Sequence, residues 1–350
     1  MKTRMAKIPS VNTPEAKEQI RVAAELLRCG KLVIFPTETV YGLGGDGTSE
    51  NASALIYQAK GRPSDNPLIL HVAQPSDAER YTYTTPVYDK LAAAFMPGPL
   101  TVIMRARDTV PLTVRAGLPT VAVRCPSHPV AHALIQEAGV PIAAPSANLS
   151  GKPSPTCFAH VCEDMDGRVD MIIDGGPCEV GLESTIVKIE DDGTLTLLRP
   201  GKITPSDLRA VVPEVRIASA VTAQLSPHET VLSPGMKYRH YAPNAPVYLL
   251  HGDDDARFGY VRAAEGKCAI LSYTDEVDRY SAVLPREAIY PIGDRADLET
   301  QAHTLFYSLR EADKQNYDRI FAPLPIKEGM GLALYNRLIR AAAYQIVELE

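Results

Sequence analysis

The sequence predicts an α/β protein of two domains, and three observations carry that prediction. Short apolar runs alternate with capped amphipathic segments from the N-terminus to about residue 212. The same alternation restarts at Val247. Between them, residues 213–246 lack periodicity and hold five prolines, which reads as a linker. The expected organisation is therefore 1–212, a linker over 213–246, and 247–350. Strands separated by helices favour parallel pairing, above all in the second, smaller domain.

Taken in order, Thr13-Pro14-Glu15 opens the first helix with a capping hydroxyl, a proline in the first turn and an acid suited to the dipole. Ile20, Ala23, Ala24 and Leu27 form its apolar stripe, and Gly30 closes it. Leu32–Phe35 reads as a buried strand that breaks at Pro36 into a glycine-rich loop ending at Gly47. A helix from about Glu50 turns Ala52, Leu55, Ile56 and Ala59 to the core and stops at Lys60-Gly61-Arg62-Pro63. Ser64-Asp65-Asn66-Pro67 leads into a strand over Leu68–Val72. Thr85-Pro86 starts a helix that ends at Pro97-Gly98-Pro99, and strands follow at Leu100–Met104 and Thr120–Arg124. Ser127 and Pro129 open a helix that stops at Gly139. The short strand from Pro141 to Ala144 runs into Pro145-Ser146-Ala147-Asn148. A strand at Asp170–Asp174, a hairpin of Ser184–Ile189 with Leu195–Arg199 around Asp192-Gly193, and a helix at Thr204-Pro205 complete the first domain. Beyond the linker, strands are expected at Val247–Leu250, Lys267–Leu271, Ile289–Ile292 and Arg319–Ala322, with helices at Leu298–Ala312 and Leu332–Val347. Asn336, Arg337 and Arg340 on the last helix read as a solvated face.

Hydroxyls, glycines and two cations thus gather between residues 32 and 71, where an α/β protein places a phosphate-bearing ligand. Gly42, Gly44 and Gly47 match the spacing of a dinucleotide fingerprint, but the next strand ends on His71 rather than on an acid for the ribose. No Gly-Lys-Ser/Thr closes the loop as in a nucleotide-binding P-loop. Each feature has a plain alternative. Lys60 compensates a helix dipole, Ser146-Ala-Asn148 is an ordinary turn, and His71 is a satisfied core group.

With 350 residues, 45% hydrophobic and 22% charged, the chain has globular composition and room for two cores. A net charge of −6 argues against a large nucleic-acid footprint. No apolar run approaches the roughly 20 residues of a membrane span, and Met1–Ser10 lacks the apolar core of a secretory signal. Six scattered cysteines read as reduced thiols of a cytoplasmic protein. Cys157, His160 and Cys162 lack a second ligand pair for zinc.

Phe35-Pro-Thr-Glu-Thr-Val-Tyr-Gly-Leu-Gly, Lys60-Gly-Arg-Pro, Asn66-Pro-Leu, Pro97-Gly-Pro-Leu-Thr, Ser146-Ala-Asn and Ser184-Thr, in that order, resemble the YrdC-like domain. The segment Ser233-Pro-Gly-Met-Lys-Tyr-Arg-His-Tyr-Ala-Pro and the tail Gly331-Leu-Ala-Leu-Tyr-Asn-Arg-Leu resemble the two-domain L-threonylcarbamoyladenylate synthases. The resemblance covers essentially the whole chain. Met96 departs from it, since many relatives carry tryptophan there; the change bears on packing rather than chemistry.

The resemblance implies an open twisted α/β sheet for the first domain and a Rossmann-like second domain. It implies that L-threonine, bicarbonate or CO2, and ATP give threonylcarbamoyl-AMP and pyrophosphate. Mg2+ would accompany the ATP, with no protein side chain assigned to it. The product would pass to a tRNA threonylcarbamoyl transferase complex, without direct tRNA binding being required. Lys60, Arg62, Asn66, Thr120, Ser146, Ser154, Arg199 and Tyr238 match the ATP contacts. Asn148 completes the Ser-x-Asn motif, and Lys60, Arg62, Ser146 and Asn148 are the expected catalytic set. Thr39, His71, Arg124, Ala144 and Ser184 match the threonine contacts, with the Arg124 guanidinium fork suited to the amino-acid carboxylate. Lys237 to Tyr241, aromatic and basic, suit a lid with Tyr238 over the nucleotide. Two other functions compete: a non-catalytic RNA-binding module, which the net charge disfavours, and a carbamoyl transferase for metallocentre assembly, which expects acylphosphatase and zinc-finger segments not seen in these residues.

Overall fold

The computed structural model describes residues 2–223 and 240–350. They divide into two units, one of residues 2–150 and 154–223, the other of 151–153 and 240–350. Lys237, Tyr238 and Arg239, and with them the expected lid, lie outside the described residues.

In the first unit the chain runs β1 (Arg4–Lys7), α1 (Pro14–Arg28), β2 (Val33–Phe35), β3 (Gly42–Asp46), α2 (Glu50–Lys60), β4 (Ile69–His71), α3 (Pro86–Phe95), β5 (Leu100–Arg105), β6 (Thr120–Arg124), α4 (Pro129–Ala138), β7 (Ile142–Ala143), α5 (Phe158–Met165), β8 (Met171–Asp174), β9 (Thr185–Ile189), β10 (Leu195–Arg199), α6 (Pro205–Val211) and β11 (Val215–Ile217). Among the described residues these strands make one mixed sheet, ordered β1-β8-β2-β3-β7-β4-β6-β5-β9-β10-β11. Helix α1 forms as its pattern predicts. Thr13 Oγ1 accepts from the Ala16 N–H at 3.1 Å, and Ile20, Ala23, Ala24 and Leu27 are buried. They share a core with Val130, Leu134 and Ile135 of α4 and with Val33, Phe35, Met171 and Ile173 of the sheet.

Three local expectations are corrected here. Gly42–Asp46 is a strand, antiparallel to β2, rather than a phosphate-cradling loop. Its glycines serve close packing: a Cβ on Gly44 would stand 2.7 Å from both Phe35 and Ile142, and one on Gly47, just beyond the strand, 2.5 Å from Leu70. Leu55 is exposed, because at about 100° per residue it lies some 120° from the centre of the arc that buries Ala52, Ser53, Ile56, Tyr57, Ala59 and Lys60. Val215–Ile217, inside the stretch read as linker, pairs in parallel with β10 and extends the first sheet.

The second unit runs β12 (Val247–His251), α7 (Asp254–Ala263), β13 (Cys268–Ser272), α8 (Val277–Tyr280), β14 (Ile289–Pro291), α9 (Leu298–Asp313), β15 (Arg319–Pro323), α10 (Gly331–Ala341) and β16 (Ile346–Glu348). Its described strands are all parallel, in the order β14-β13-β15-β12-β16. The last helix stops at Ala341, where Ala343 and Tyr344 take φ of 47° and 65° and turn the chain into β16. Asn336, Arg337 and Arg340 are buried rather than solvated, as is every residue of α10. A helix enclosed on all sides has no polar face for periodicity to report. The Arg337 guanidinium lies 5.6 Å from the centre of the Tyr241 ring, and Arg310 of α9 donates twice to the Pro153 carbonyl, at 2.7 and 3.0 Å.

Candidate active site

Register across the first sheet sets the site. His71 ends β4 and Arg124 ends the parallel β6, and the two are direct neighbours. On one side His71 pairs with Ile142 of β7, which leads into Ala144, whose N–H donates to Ile69 O at 2.9 Å. On the other side Arg124 pairs with Thr101 of β5. Thr101 Oγ1 lies 2.8 Å from Ser184 Oγ, just ahead of β9. Arg199, the last residue of β10, donates to Ser184 O at 3.0 Å and to Ser184 Oγ at 3.1 Å. Ala144, His71, Arg124, Ser184 and Arg199, far apart in sequence, thus form one row. Its centre is the carboxyl end of two parallel strands, where α/β sheets bind ligands.

The turn before β3 closes over this row. Thr37 Oγ1 and Thr39 Oγ1 meet at 2.8 Å, and Glu38 between them reaches Arg124 Nη2 at 2.7 Å. Both partners of that ion pair are buried. His71 is also buried, and its Nδ1 faces the carbonyls of Ile69 and Ile142 at 3.1 and 3.3 Å. Two carbonyl acceptors are met only by an N–H, so the proton sits on Nδ1 and Nε2 keeps its lone pair. Burial, with the Arg124 charge second, pushes the imidazole pKa down to about 3, so the ring is neutral at ordinary pH. Burial and then the Glu38 charge raise the Cys125 thiol to about 12, so it is no thiolate nucleophile.

A second cluster forms where α2 ends. Lys60 is only 4% exposed, and its ammonium donates to Ser146 O at 2.5 Å, Asn148 O at 2.7 Å and Asn148 Oδ1 at 3.2 Å. Ser146 Oγ donates to Asn148 Oδ1 at 2.5 Å. The same turn is pinned to the glycine strand: Gly42 bridges Ser146, and the Ala147 N–H donates to Tyr41 O at 2.8 Å. Lys60 thus does more than compensate a dipole, because it fixes the backbone of Ser146-Ala-Asn148. Arg62 donates to Asn66 O at 2.9 Å, and the buried Asn66 side-chain amide has neither its Nδ2 nor its Oδ1 hydrogen-bonded. Ser154 Oγ donates to Glu183 Oε1 at 2.5 Å.

The structure therefore brings His71, Arg124, Ala144, Ser184 and Arg199 into one row, and Lys60, Ser146 and Asn148 into one knot. Thr120 opens β6 at the opposite end from Arg124, roughly 13 Å along the strand at the usual rise. Glu38, Thr101 and Glu183 join the site without having been assigned from sequence. Glu38 and Thr101 sit inside quoted motifs, and a lone acid between hydroxyls on a buried stretch was the available signal.

An α/β sheet that collects cations, hydroxyls and a buried ion pair at its strands' carboxyl ends has the make-up of an enzyme acting on charged small molecules. Residues 25–201 match a family model described as telomere recombination, and residues 203–343 match one described as threonylcarbamoyl-AMP synthase, C-terminal domain. The threonylcarbamoyl-AMP synthase of Bacillus subtilis is 44% identical over 97% of this chain and 96% of its own. The one from Pyrococcus abyssi is 41% identical over 97% of this chain and 99% of its own. The crystal structure of P. abyssi Sua5 complexed with L-threonine superposes with a TM-score of 0.88 at 38% identity, over the full length of both chains. The chain belongs to the threonylcarbamoyl-AMP synthase family. It is an enzyme, and the reading as a non-catalytic RNA-binding module is set aside.

Proposed function

We propose that the chain condenses L-threonine, bicarbonate or CO2, and ATP into threonylcarbamoyl-AMP, releasing pyrophosphate, for threonylcarbamoyladenosine modification of tRNA. The observation that carries this is the row of His71, Arg124, Thr101, Ser184 and Arg199, which sets hydroxyl partners beside a guanidinium at the strands' carboxyl ends. Arg124 takes the threonine carboxylate. The threonine hydroxyl donates to His71 Nε2 and lies near Thr39 and Ser184. The α-ammonium first gives up a proton, the neutral amine adds to CO2 and releases a second proton to solvent as the carbamate forms, and the carbamate oxygen then attacks the α-phosphorus as the bond to pyrophosphate breaks. No covalent enzyme nucleophile is needed, so positioning and charge neutralisation carry the rate.

Lys60 and Arg62 neutralise the triphosphate, and Ser146, Asn148, Asn66, Ser154 and Arg199 complete the nucleotide site; Thr120, at the far end of β6, and Tyr238, outside the described residues, are assigned to ATP on the family resemblance alone. Among the described residues no three His, Cys, Asp or Glu side chains form a metal site. The groups assigned to the triphosphate are cations, hydroxyls and amides, which do not fit a protein-built oxygen cage for Mg2+. Mg2+, where ATP brings it, would add to the charge neutralisation that Lys60 and Arg62 give the triphosphate. Within the described residues no helix is long and apolar enough to cross a membrane. The reading places the reaction in the cytoplasm, with the product consumed by a tRNA threonylcarbamoyl transferase complex. The test is to mix the chain with threonine, bicarbonate and ATP and look for pyrophosphate and for the adenylate by mass. Absence of the adenylate, with ATP intact, would overturn the reading.

A further inference from the structure

The Glu38–Arg124 pair is incomplete in a particular way. Glu38 Oε1 and Arg124 Nη2 form the ion pair at 2.7 Å, whereas the buried Glu38 Oε2 and Arg124 Nε have no hydrogen-bond partner within the protein. A buried structural ion pair ordinarily has its remaining lone pairs and protons satisfied, because each unmet one carries a desolvation cost. Here the unmet valences are of two kinds: an acceptor on Glu38 and a donor on Arg124. The backbone around Glu38 is held, since its carbonyl accepts from the Val180 N–H at 2.8 Å. The flanking Thr37 and Thr39 hydroxyls are engaged with one another, so they do not serve the carboxylate.

A ligand that satisfies both sides must present an anion and a multiple N–H donor on adjacent atoms. An α-amino-acid zwitterion does this, its carboxylate meeting Arg124 and its ammonium meeting Glu38. We propose that Glu38 is the binding residue for the α-ammonium of the amino-acid substrate, so that Glu38 and Arg124 together recognise the zwitterion. This rests on the proposed reading of the site as a threonine site. It explains why an acid sits in a buried turn beside the one guanidinium assigned to the substrate carboxylate. It also assigns the amine's position, and hence where CO2 must be delivered, to one side chain.

The test uses L-threonine and its deaminated analogue, 2,3-dihydroxybutanoate of matching configuration, in which a hydroxyl replaces the ammonium. Their binding to the full-length chain is measured by calorimetry, for the wild type, Glu38→Gln and Glu38→Asp. The wild type is expected to prefer threonine by about 30-fold or more, the scale of a broken buried charge contact. Glu38→Gln should lose that preference, while Glu38→Asp keeps part of it and ATP affinity is retained in both. If Glu38→Gln weakens both ligands equally and the preference survives, Glu38 only orients Arg124 and the proposal falls. It falls equally if the wild type binds the hydroxy acid as tightly as threonine, a result that needs no variant to fold. Failure of the wild type to bind threonine at all would instead overturn the underlying reading of the site.

Discussion

Replacing Lys60 by methionine keeps the length and apolar stem of the side chain and removes its charge. The ammonium donates to Ser146 O and Asn148 O at 2.5 and 2.7 Å, with Asn148 Oδ1 more distant at 3.2 Å. A hydrogen bond from a charged donor contributes about 1.5–3 kcal/mol net, and a buried acceptor left unmet costs a similar amount. Two such bonds give about 3–6 kcal/mol. Because they share one ammonium, the effects are not additive, and about 3 kcal/mol is the sensible expectation. That lowers the folded-to-unfolded ratio by about a hundredfold. Urea unfolding is best followed by far-UV circular dichroism, since the chain has no tryptophan. Lys60→Met should unfold at clearly lower urea than the wild type and release pyrophosphate far more slowly. Lys90→Met, on the exposed face of α3, is the control and should match the wild type in both. A Lys60→Met protein with wild-type urea stability would show that the ammonium does not hold the Ser146–Asn148 turn, and the positional argument would fail.

Three further outcomes are expected. Arg62→Ala should slow pyrophosphate release by at least tenfold, the equivalent of one charge-assisted bond of about 1.5–3 kcal/mol, and a wild-type rate would remove Arg62 from the phosphates. In substrate competition, serine should lose roughly 1–3 kcal/mol of specificity for the missing methyl, and valine more, because it leaves the hydroxyl partners unpaired; valine matching serine would refute hydroxyl recognition by His71, Thr39 and Ser184. His71 titrates near 6.5 when unfolded and near 3 when folded, so the unfolded chain binds the extra proton between those values. Its contribution is complete above pH 6.5 and is lost as pH falls toward 3, at up to about 1.4 kcal/mol per pH unit. Denaturation of His71→Asn across that window should show a shallower slope than the wild type, and equal slopes would refute the buried neutral imidazole.

Much of the fold was legible because its signals are local. Thr13, Ser49, Thr85 and Thr204 each accept from the first turn of their helix, and Gly61 and Gly139 take the left-handed conformation that ends α2 and α4. Strands β12 to β15 fall where apolar runs predict, as buried parallel strands do, whereas β16 forms inside the segment read as the end of the last helix. Local signals failed where packing overrides them. The glycines before Asp46 look like a loop in sequence and form a strand, because Phe35 and Ile142 leave no room for a Cβ. Arg337 looks like surface and is buried, because α10 is enclosed.

By itself the sequence determined the α/β class, most elements and the residue types from which a site could be made, since caps, breakers and periodicity act over a few residues. Only the tertiary structure decided which of those residues meet. Register between β4 and β6 puts His71 beside Arg124, and register between β6 and β5 puts Arg124 beside Thr101 and so within reach of Ser184. Side-chain alternation along a strand is visible in one segment, but the neighbour across the ladder comes from a different segment, chosen by the packing of the whole sheet. For the same reason Glu38 was a motif letter in the sequence. Its meeting with Arg124, at 2.7 Å and 86 positions further along the chain, exists only once the turn before β3 folds over the end of β6.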